Sequence, residues 1–265
     1  MAGDDDEDEA GPTEGLALGE AVTRVVVLGD PHGCPIGLDL ALEREEGPTT
    51  TILAAGDNIG YADAAASSAF VAALAARGIR SVRGNHEAWS RGGRLFLGPP
   101  GAPRDLTPAA RAWCEALPGR LVVTGPRLAA PVHLVHALPG WDYPGPDTAE
   151  RLLDLEGAPV VVCGHSHRPA IYAFGPGALA PEVHRLDPTA AAPVVVPWDP
   201  RSRYVVDAGS LGRPDRPRGR AVLERGTYAA FDLVARTLSL HAVDKRPRLR
   251  ALWAHVLGGP GRSGR

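Results

Sequence analysis

The sequence is poor in cysteine and has no long apolar run. Its three cysteines, Cys34, Cys114 and Cys163, lie far apart and form no Cys-x-x-Cys pair, which argues against a disulfide framework and against an all-cysteine zinc site. No stretch approaches the roughly 18 apolar residues of a membrane-spanning helix. The N-terminal residues MAGDDDEDEA also lack the basic start and apolar centre of a secretory signal. These absences predict a cytoplasmic protein without a membrane partner.

Basic residues are missing from the first 20 positions, which carry eight acidic residues. This composition predicts that residues 1–20 form a disordered acidic tail. The formal net charge of −3 therefore conceals a basic remainder. We expect one domain over residues 21–245, followed by a basic C-terminal segment at 246–265. Such a segment could bind nucleic acid, although no other feature supports this partner, and the sequence does not indicate an oligomeric state.

Strand-like and helix-like segments alternate in the first third of the chain. Apolar runs end at Gly-containing turns and are separated by helix formers, which predicts a largely parallel sheet with helices packed on it. The predicted strands cover 24–28, 49–53 and 79–82, and the predicted helices cover 38–46 and 62–77.

The rest of the chain predicts an insertion, a long loop and further strands. Residues 88–119 are rich in Gly, Pro and Arg and form a predicted insertion that could cover a site. Residues 175–200 predict a long loop or hairpin because they contain many Pro and Ala. Strands are predicted at 121–123, 131–136 and 159–163, and three more, at 204–207, 227–233 and 237–243, are expected to form a second sheet.

Polar side chains follow five of the predicted strands at their carboxyl ends. Ligands of open α/β sheets bind at this edge, so we expect these side chains to meet. Oxygen and nitrogen donors without a thiol suit two divalent ions, with Mn²⁺ as the first candidate and Fe²⁺ or Zn²⁺ as alternatives. A shared carboxylate could hold the ions about 3.5 to 4 Å apart, the spacing used in phosphoester hydrolysis. The seven candidate ligands are Asp30, His32, Asp57, Asn85, His136, His165 and His167.

The same residues lie in five ordered motifs that resemble the signatures of the calcineurin-like metallophosphoesterases. The resemblance extends over about residues 24–243. It implies a single-domain α/β fold in which a two-sheet sandwich is flanked by helices, and it implies metal-dependent hydrolysis of phosphoric esters. The motifs are Gly29-Asp-Pro-His-Gly33, Gly56-Asp-Asn58, Gly84-Asn-His-Glu87, His136 and Gly164-His-Ser-His167.

The resemblance also implies a role for each residue. Asp57 would bridge the two metal ions, and a hydroxide held between the ions would attack phosphorus. His86 would be the general acid that protonates the leaving oxygen, and Arg83 would contact the phosphate. The implied substrate is a small phosphomonoester, phosphodiester or nucleotide. Asp30, His32 and His167 would hold one ion, and Asn85, His136 and His165 would hold the other.

Departures from the family pattern leave alternatives open. Ala137 replaces the usual Gly after His136, and Asp207 stands where relatives often have Asn. The segment after Asp57 lacks the Val-Asp-Arg-Gly of Ser/Thr phosphatases, which argues against a dedicated protein phosphatase. Three alternatives to a small-molecule phosphoesterase remain: such a protein phosphatase, a non-catalytic binding scaffold with the same fold, and an enzyme that acts on nucleic acid.

Other residues near the motifs have simpler expected roles. His133 lies three residues from His136 on a strand, so it should face the opposite side and be structural. Glu87 is expected to orient a metal-site histidine, and Arg168 is expected to be a surface residue. Packing is the expected role of three tryptophans, with stacking on a nucleobase as the alternative; they are Trp89, Trp113 and Trp141.

Overall fold

The predicted alternation of strands and helices is present in a computed structural model, which describes residues 11–102, 104–215 and 222–257. Two mixed sheets lie face to face, and helices cover their outer faces. The strands are β1 Thr13–Ala17, β2 Arg24–Leu28, β3 Thr50–Ala54, β4 Arg80–Ser81, β5 Arg120–Thr124, β6 Val132–Leu134, β7 Val160–Cys163, β8 Ala170–Phe174, β9 Glu182–Arg185, β10 Val194–Pro197, β11 Arg203–Asp207, β12 Arg225–Asp232 and β13 Thr237–Asp244. The helices are α1 Pro35–Glu45, α2 Ala64–Ala76, α3 Asn85–Trp89, α4 Pro108–Glu115, α5 Ala149–Glu156 and α6 Arg246–Leu257.

A six-stranded sheet contains the N-terminal strands that precede the motifs. Its order is β10-β13-β12-β2-β3-β4, with β2, β3 and β4 parallel and β12 antiparallel to β2. Successive side chains of a strand point to opposite faces, so β2 contributes to two cores. Val25 and Val27 face the other sheet, whereas Val26 and Leu28 pack with residues of α1 and α2. These helices therefore cover the face opposite the inter-sheet core.

A seven-stranded sheet forms the other layer, in the order β1-β5-β6-β7-β11-β8-β9. Its outer face is covered by α5, whose Leu152 and Leu153 pack with Val161 and Val205. Its inner face packs against the first sheet through apolar side chains such as Leu134. The predicted two-sheet sandwich flanked by helices is confirmed.

The position of β11 differs from the prediction. The sequence predicts one sheet for 204–207, 227–233 and 237–243, but β11 lies in the seven-stranded sheet, parallel to β7 and antiparallel to β8. By contrast, β12 and β13 extend the sheet of β2. Tyr204 and Val205 are buried in different cores on the two faces of β11. A period-2 pattern identifies such a strand but does not assign it to a sheet.

Two long connecting segments contain regular structure. Within 175–200, β9 forms a hairpin with β8, and β10 crosses to the other sheet, where it pairs with β13. The predicted insertion at 88–119 contributes α4, which packs on α2. None of the helices in the described ranges is long and apolar enough to cross a membrane.

The prediction of a disordered tail is wrong for the last part of residues 1–20. β1 pairs in parallel with β5, with Thr13 opposite Arg120. Leu18 joins the core, and Glu14 forms an ion pair with Arg80. β1 is ordered because β5 would otherwise be the edge strand of its sheet, and an edge strand has unpaired backbone N–H and C=O groups that can bind a neighbouring segment. The first ten residues lie outside the described part of the chain.

A chain that starts at Gly19 should therefore melt at a lower temperature than one that starts at Gly11. Removal of β1 exposes the edge of β5 and empties the core position of Leu18, and losses of this kind cost about 1–3 kcal/mol, or roughly 2–12 °C for a domain of this size. Thermal unfolding followed by circular dichroism measures the difference. The chain starting at Gly11 is the control and should have the same melting temperature as the full-length protein. Equal melting temperatures for all three chains would show that β1 does not stabilise the sheet.

Candidate metal centre

Seven polar side chains from the two sheets meet where their strands end. Two short distances join the sheets: His32 Nε2 lies 3.0 Å from His167 Nε2. On the other side of the site, His136 Nε2 lies 3.4 Å from Asp57 Oδ1. The structure thus brings together all seven predicted ligands. Asp30 and His32 follow β2, Asp57 follows β3, Asn85 begins α3 after β4, His136 follows β6, and His165 and His167 follow β7.

The donor atoms of the seven predicted ligands fall into two groups, with Asp57 between them, and a third group joins His32 and Asp57 to His86. Asp30, His32 and His167 offer donor atoms within 4.8 Å of one another, and so do Asp57, His136 and His165. Asn85 joins the second group, since its Oδ1 lies 2.9 Å from His136 Nε2. Asp57 also approaches the first group, with Oδ2 4.0 Å from His32 Nε2. A carboxylate between two groups of donors has the position that a bridging ligand of two cations requires.

The backbone is strained at five of the seven residues. This left-handed conformation is costly for residues other than glycine, and it clusters at functional sites. Each of the five lies in the turn directly after its strand, so the strain is concentrated where the donors meet. The five are Asp30 (φ 32°), His32 (φ 49°), Asp57 (φ 52°), His165 (φ 70°) and His167 (φ 58°).

Backbone carbonyls fix the tautomer of three of the histidines. His32 Nδ1 donates to Ile59 O at 3.1 Å, and His136 Nδ1 donates to Ala55 O at 2.7 Å. His165 donates from its other nitrogen, Nε2, to Trp141 O at 2.7 Å. In each ring one nitrogen is held by the protein and the other remains as a donor to a metal, the arrangement found around metal-ligating histidines.

The environment of Asp30 fits a cation. Its side chain is fully buried, and no group among the described residues donates a hydrogen bond of normal geometry to either carboxylate oxygen. The nearest ring nitrogens are His167 Nε2 at 3.4 Å and His136 Nδ1 at 3.5 Å. Burial raises the pKa of this carboxyl well above its ordinary value, with His136 opposing and Asp57 adding to the shift. A divalent cation among these donors would neutralise the buried charge, so the residues present fit a metal.

A family model for calcineurin-like phosphoesterases matches residues 23–169, more than half of the chain. The chain belongs to this family. It is therefore a metal-dependent phosphoesterase. The resemblance found in the motifs is confirmed, and so is the enzyme class that it implies. No curated protein sequence matches the chain.

Solved structures agree on the fold. A metallophosphoesterase from Sphaerobacter thermophilus is 24% identical, covers 90% of this chain and 95% of its own, and superposes with a TM-score of 0.63. Hypothetical protein PH1004 from Pyrococcus horikoshii OT3 is 16% identical, covers 92% of this chain and 95% of its own, and has a TM-score of 0.54. At these identities the likeness shows the shared fold alone.

Charge is unevenly distributed within the site of this phosphoesterase. Burial opposes ionisation of Asp57, but His136, His86 and His32 outweigh it and hold the pKa of this carboxyl well below its ordinary value. Burial likewise disfavours the charged ring of His136, but Asp57 and Asp30 outweigh it and raise the pKa to about 10. Burial lowers the pKa of two further ligands to about 4, which keeps them in the neutral form that binds metals; they are His165 and His167.

Glu87 supports the site in a way that differs from the prediction. Its carboxylate does not orient a histidine but accepts four backbone N–H groups. Oε2 accepts from Asp57 at 3.0 Å and Gly84 at 2.8 Å. Oε1 accepts from Asn58 at 2.7 Å and Ile59 at 3.2 Å. Burial, with Asp57 adding to it, raises the pKa of Glu87 to about 7. One side chain thus ties the turn after β3 to the start of α3.

A second buried carboxylate supports the turn after β7. Asp207 Oδ2 accepts a hydrogen bond from Ser166 Oγ at 2.5 Å, and Oδ1 accepts from Gly209 N at 2.9 Å. Burial raises the pKa of Asp207 to about 7, against the hydrogen bond from Ser166. The aspartate that departs from the family pattern therefore holds the Ser between the two ligands His165 and His167.

Four of the seven ligands line one cleft, and Arg83 is not part of its lining. The four are Asp57, Asn85, His165 and His167. Arg83 Nη2 donates to Leu117 O at 3.0 Å, and its side chain lines a different pocket, beside His136. The expectation that Arg83 contacts the reacting phosphate is therefore not supported by its position. A motif fixes the residue type but not the direction of a side chain next to the ligands. His133 faces away from the site as predicted, with Nδ1 3.1 Å from Glu156 Oε2.

The cleft contains residues that sequence reasoning missed. It has a volume of about 340 Å³ and is lined by His86, as predicted, but also by Tyr61, Tyr143 and Arg213. Arg213 lies in the segment after β11 that resembles the family, but nothing in its spacing identifies it. The two tyrosines belong to no motif. Of the three tryptophans, only Trp89 lines this cleft.

Replacement of Asp30 should reduce the stabilisation of the protein by added metal ions. Mn²⁺ at about 100 times its Kd should stabilise the wild type by about 2.7 kcal/mol, and Asp30→Asn should lose most of this gain because a buried anionic donor is removed. Without Mn²⁺ the same variant should unfold no more easily than the wild type, since an uncompensated charge has gone. Melting temperatures with and without Mn²⁺ measure both effects.

Asp39→Asn, an exposed aspartate on α1, is the matched control and should keep the wild-type response to Mn²⁺. An equal Mn²⁺ shift in Asp30→Asn and wild type would contradict the assignment of Asp30 as a ligand.

Proposed function

We propose that this phosphoesterase hydrolyses small phosphoric esters, with nucleotides as the favoured class, through two divalent cations held on either side of Asp57. The proposal depends on one observation: His and Asp groups converge on a buried carboxylate at a cleft of about 340 Å³. The His and Asp donors would hold the cations, which would supply a water nucleophile near neutral pH and neutralise the charge of the phosphoryl oxygens. Mn²⁺ is the first candidate, with Fe²⁺ or Zn²⁺ as alternatives, because the donors are nitrogen and oxygen only.

His86 has a suitable position for the general acid. Its ring lines the cleft, and Nε2 lies 3.8 Å from Asp57 Oδ2. Contacts with the rings of Tyr61 and Trp89, at 5.0 and 5.8 Å between centroids, restrict its orientation. Burial lowers the pKa of His86, and the Asp57 carboxylate opposes this shift. Asp57 is thus the group that favours the protonated ring, from which a proton can pass to the leaving oxygen.

Two arginines of the cleft are suited to bind phosphate oxygens. Arg213 Cζ lies 4.1 Å above the ring centroid of Tyr61, and no carboxylate of the described residues pairs with it. Its N–H groups therefore remain available for an oxyanion. Arg168 Nε lies 3.8 Å from Asp215 at the exposed rim, where such pairs are weak. In this proposal Arg213 binds the phosphate in place of Arg83.

Aromatic side chains at the rim favour a nucleotide over an aliphatic phosphoester. Trp89 is 42% exposed and Tyr143 is 65% exposed, and both line the cleft. Tyr143 stacks on His165, with centroids 4.7 Å apart and an angle of 17° between the planes, and this leaves its other face exposed. Exposed rings of this kind stack on nucleobases.

Turnover of a substrate panel by the Mn²⁺-loaded protein tests this function. We expect hydrolysis of nucleotides and aryl phosphates, and a loss of several orders of magnitude in kcat for Asp57→Ala, because the carboxylate shared by both donor groups is removed. Asp39→Ala on the surface of α1 should keep the wild-type rate. Equal rates for Asp57→Ala and wild type would contradict the proposal. Much faster turnover of phosphopeptides than of nucleotides would favour the protein phosphatase alternative instead.

The role of His86 can be tested with two leaving groups. Loss of a general acid costs about 10²- to 10⁴-fold when the leaving oxygen needs a proton, and less when the leaving group is already stable as an anion. His86→Gln should therefore lose far more kcat on a nucleoside monophosphate than on 4-nitrophenyl phosphate. His184→Gln, which replaces a histidine on β9 outside the cleft lining, is the control. Equal losses on both substrates would show that His86 does not protonate the leaving oxygen.

A further inference from the structure

A second pocket, of about 440 Å³, borders the metal centre at His136. Of the seven predicted ligands only His136 lines it, and the ring of His136 is not part of the cleft lining. Residues between β6 and α5 separate the two spaces, since Tyr143 lines the cleft whereas Trp141 lines this pocket. The size lies within the usual range of small-molecule sites, roughly 300 to 1,000 Å³.

The pocket has more positive than negative charge. Its lining contains three arginines, Arg83, Arg120 and Arg151, and one carboxylate, Glu156. Glu156 is paired with Arg120, whose Nη2 donates to Oε1 at 2.9 Å. The charges of Arg83 and Arg151 are therefore not balanced by the lining.

Neither of these two arginines has a strong partner elsewhere. Arg83 donates from Nη2 to Leu117 O, and no carboxylate among the described residues lies within ion-pair distance of it. Arg151 Nη1 lies 3.8 Å from Asp142 Oδ2, and both side chains are more than half exposed, a geometry in which ion pairs contribute little. Their remaining N–H groups form planar forks that match the oxygens of a phosphate.

The rest of the lining is largely apolar. It includes Leu138, Pro139 and Trp141, together with Val135 directly after β6. A ligand that satisfies both kinds of lining residue carries an anionic group and a flat or apolar body. Inorganic phosphate would satisfy only the arginines.

We propose that this pocket is a second binding site, which takes a small organic phosphate with an aromatic or apolar body. The site is separate from the one in which the phosphoryl group reacts, and its occupation does not require the reaction proposed above. The pocket lining includes His136 and Trp141, and the carbonyl of Trp141 accepts a hydrogen bond from the ligand His165 at 2.7 Å. A molecule bound there would therefore lie beside residues of the metal centre.

Isothermal titration of the full-length, Mn²⁺-loaded protein with phenylphosphonate tests this site. The probe has an aromatic body and an anionic head, and its carbon–phosphorus bond resists hydrolysis. Phenylphosphonate should also bind in the metal-loaded cleft of the wild type, so the event that reports the second site is the one that persists in Asp57→Asn, where the metal centre is impaired. Arg151→Glu and Arg83→Gln should each weaken that event by about tenfold or more, since hydrogen bonds to charged groups are lost. Arg151 is largely exposed, so the first variant should fold normally.

Two controls keep the test specific. Arg201→Glu replaces an exposed arginine before β11, at the end of the strand away from the site, and should bind as the wild type does. Uncharged dimethyl phenylphosphonate should not bind. The proposal is overturned if Asp57→Asn loses all binding, if Arg151→Glu binds as tightly as wild type, or if the uncharged ester binds as tightly as the anion.

The acidic run Asp4–Glu9 requires one more binding experiment. One residue, Ala10, separates this run from Gly11 in the sequence. The next residue, Pro12, accepts a hydrogen bond at its carbonyl oxygen from the backbone N–H of Gly119, which lines the pocket, at 3.0 Å. The removal of these six carboxylates, which lie within eight positions of Pro12 in the sequence, tests whether they compete with the probe. A chain that starts at Gly11 should bind phenylphosphonate at least as tightly as the full chain. Weaker binding would show that the arginine pocket alone does not form the site.

Discussion

The burial of two carboxylates among histidine rings is the constraint on which the rest of this structure depends. Asp30 is fully buried and Asp57 is 2% exposed. An ionised group out of contact with water costs several kcal/mol unless it is compensated, and two such groups close together also repel each other. His136 compensates Asp57, whereas no group among the described residues donates a hydrogen bond of normal geometry to Asp30. The fold therefore creates a deficit of positive charge that two cations can fill.

A rigid backbone is needed to keep these groups in place, because the strained turns would otherwise relax. Glu87 supplies part of it by accepting backbone N–H groups from two turns at once. Two glycines also keep the groups in place, because their lack of a side chain lets the backbone lie close to the buried carboxylates. A Cβ at Gly84 would lie 2.2 Å from Asp57 Oδ1, and a Cβ at Gly164 would lie 2.6 Å from Asp30 Oδ1. The glycines of the motifs are thus required by the carboxylates beside them.

The ligands could be predicted from the sequence because each is fixed by a local pattern, a strand followed by a Gly turn with a polar residue. Properties that depend on distant parts of the chain could not. β11 has the alternation of a strand, but its sheet is decided by the packing of both its faces. β1 has a weak strand pattern and owes its order to the edge of β5. Tyr61 and Arg213 meet only in the folded chain, so no spacing indicated them.

The position of Arg83 changes which arginines are available to the proposed phosphate substrate. Arg83, two residues before the ligand Asn85, lines the pocket beside His136 and not the cleft, whereas Arg168, which directly follows the ligand His167, lines the cleft. Arg213, from the segment after β11, occupies the cleft with Tyr61 beneath it. His136 lines the pocket that holds Arg83, and its Nε2 lies 2.9 Å from Oδ1 of the ligand Asn85, so one residue connects the second pocket with the metal centre. An anion bound beside Arg83 would therefore lie next to one of the predicted metal ligands, which gives the second pocket a physical connection to the centre it borders.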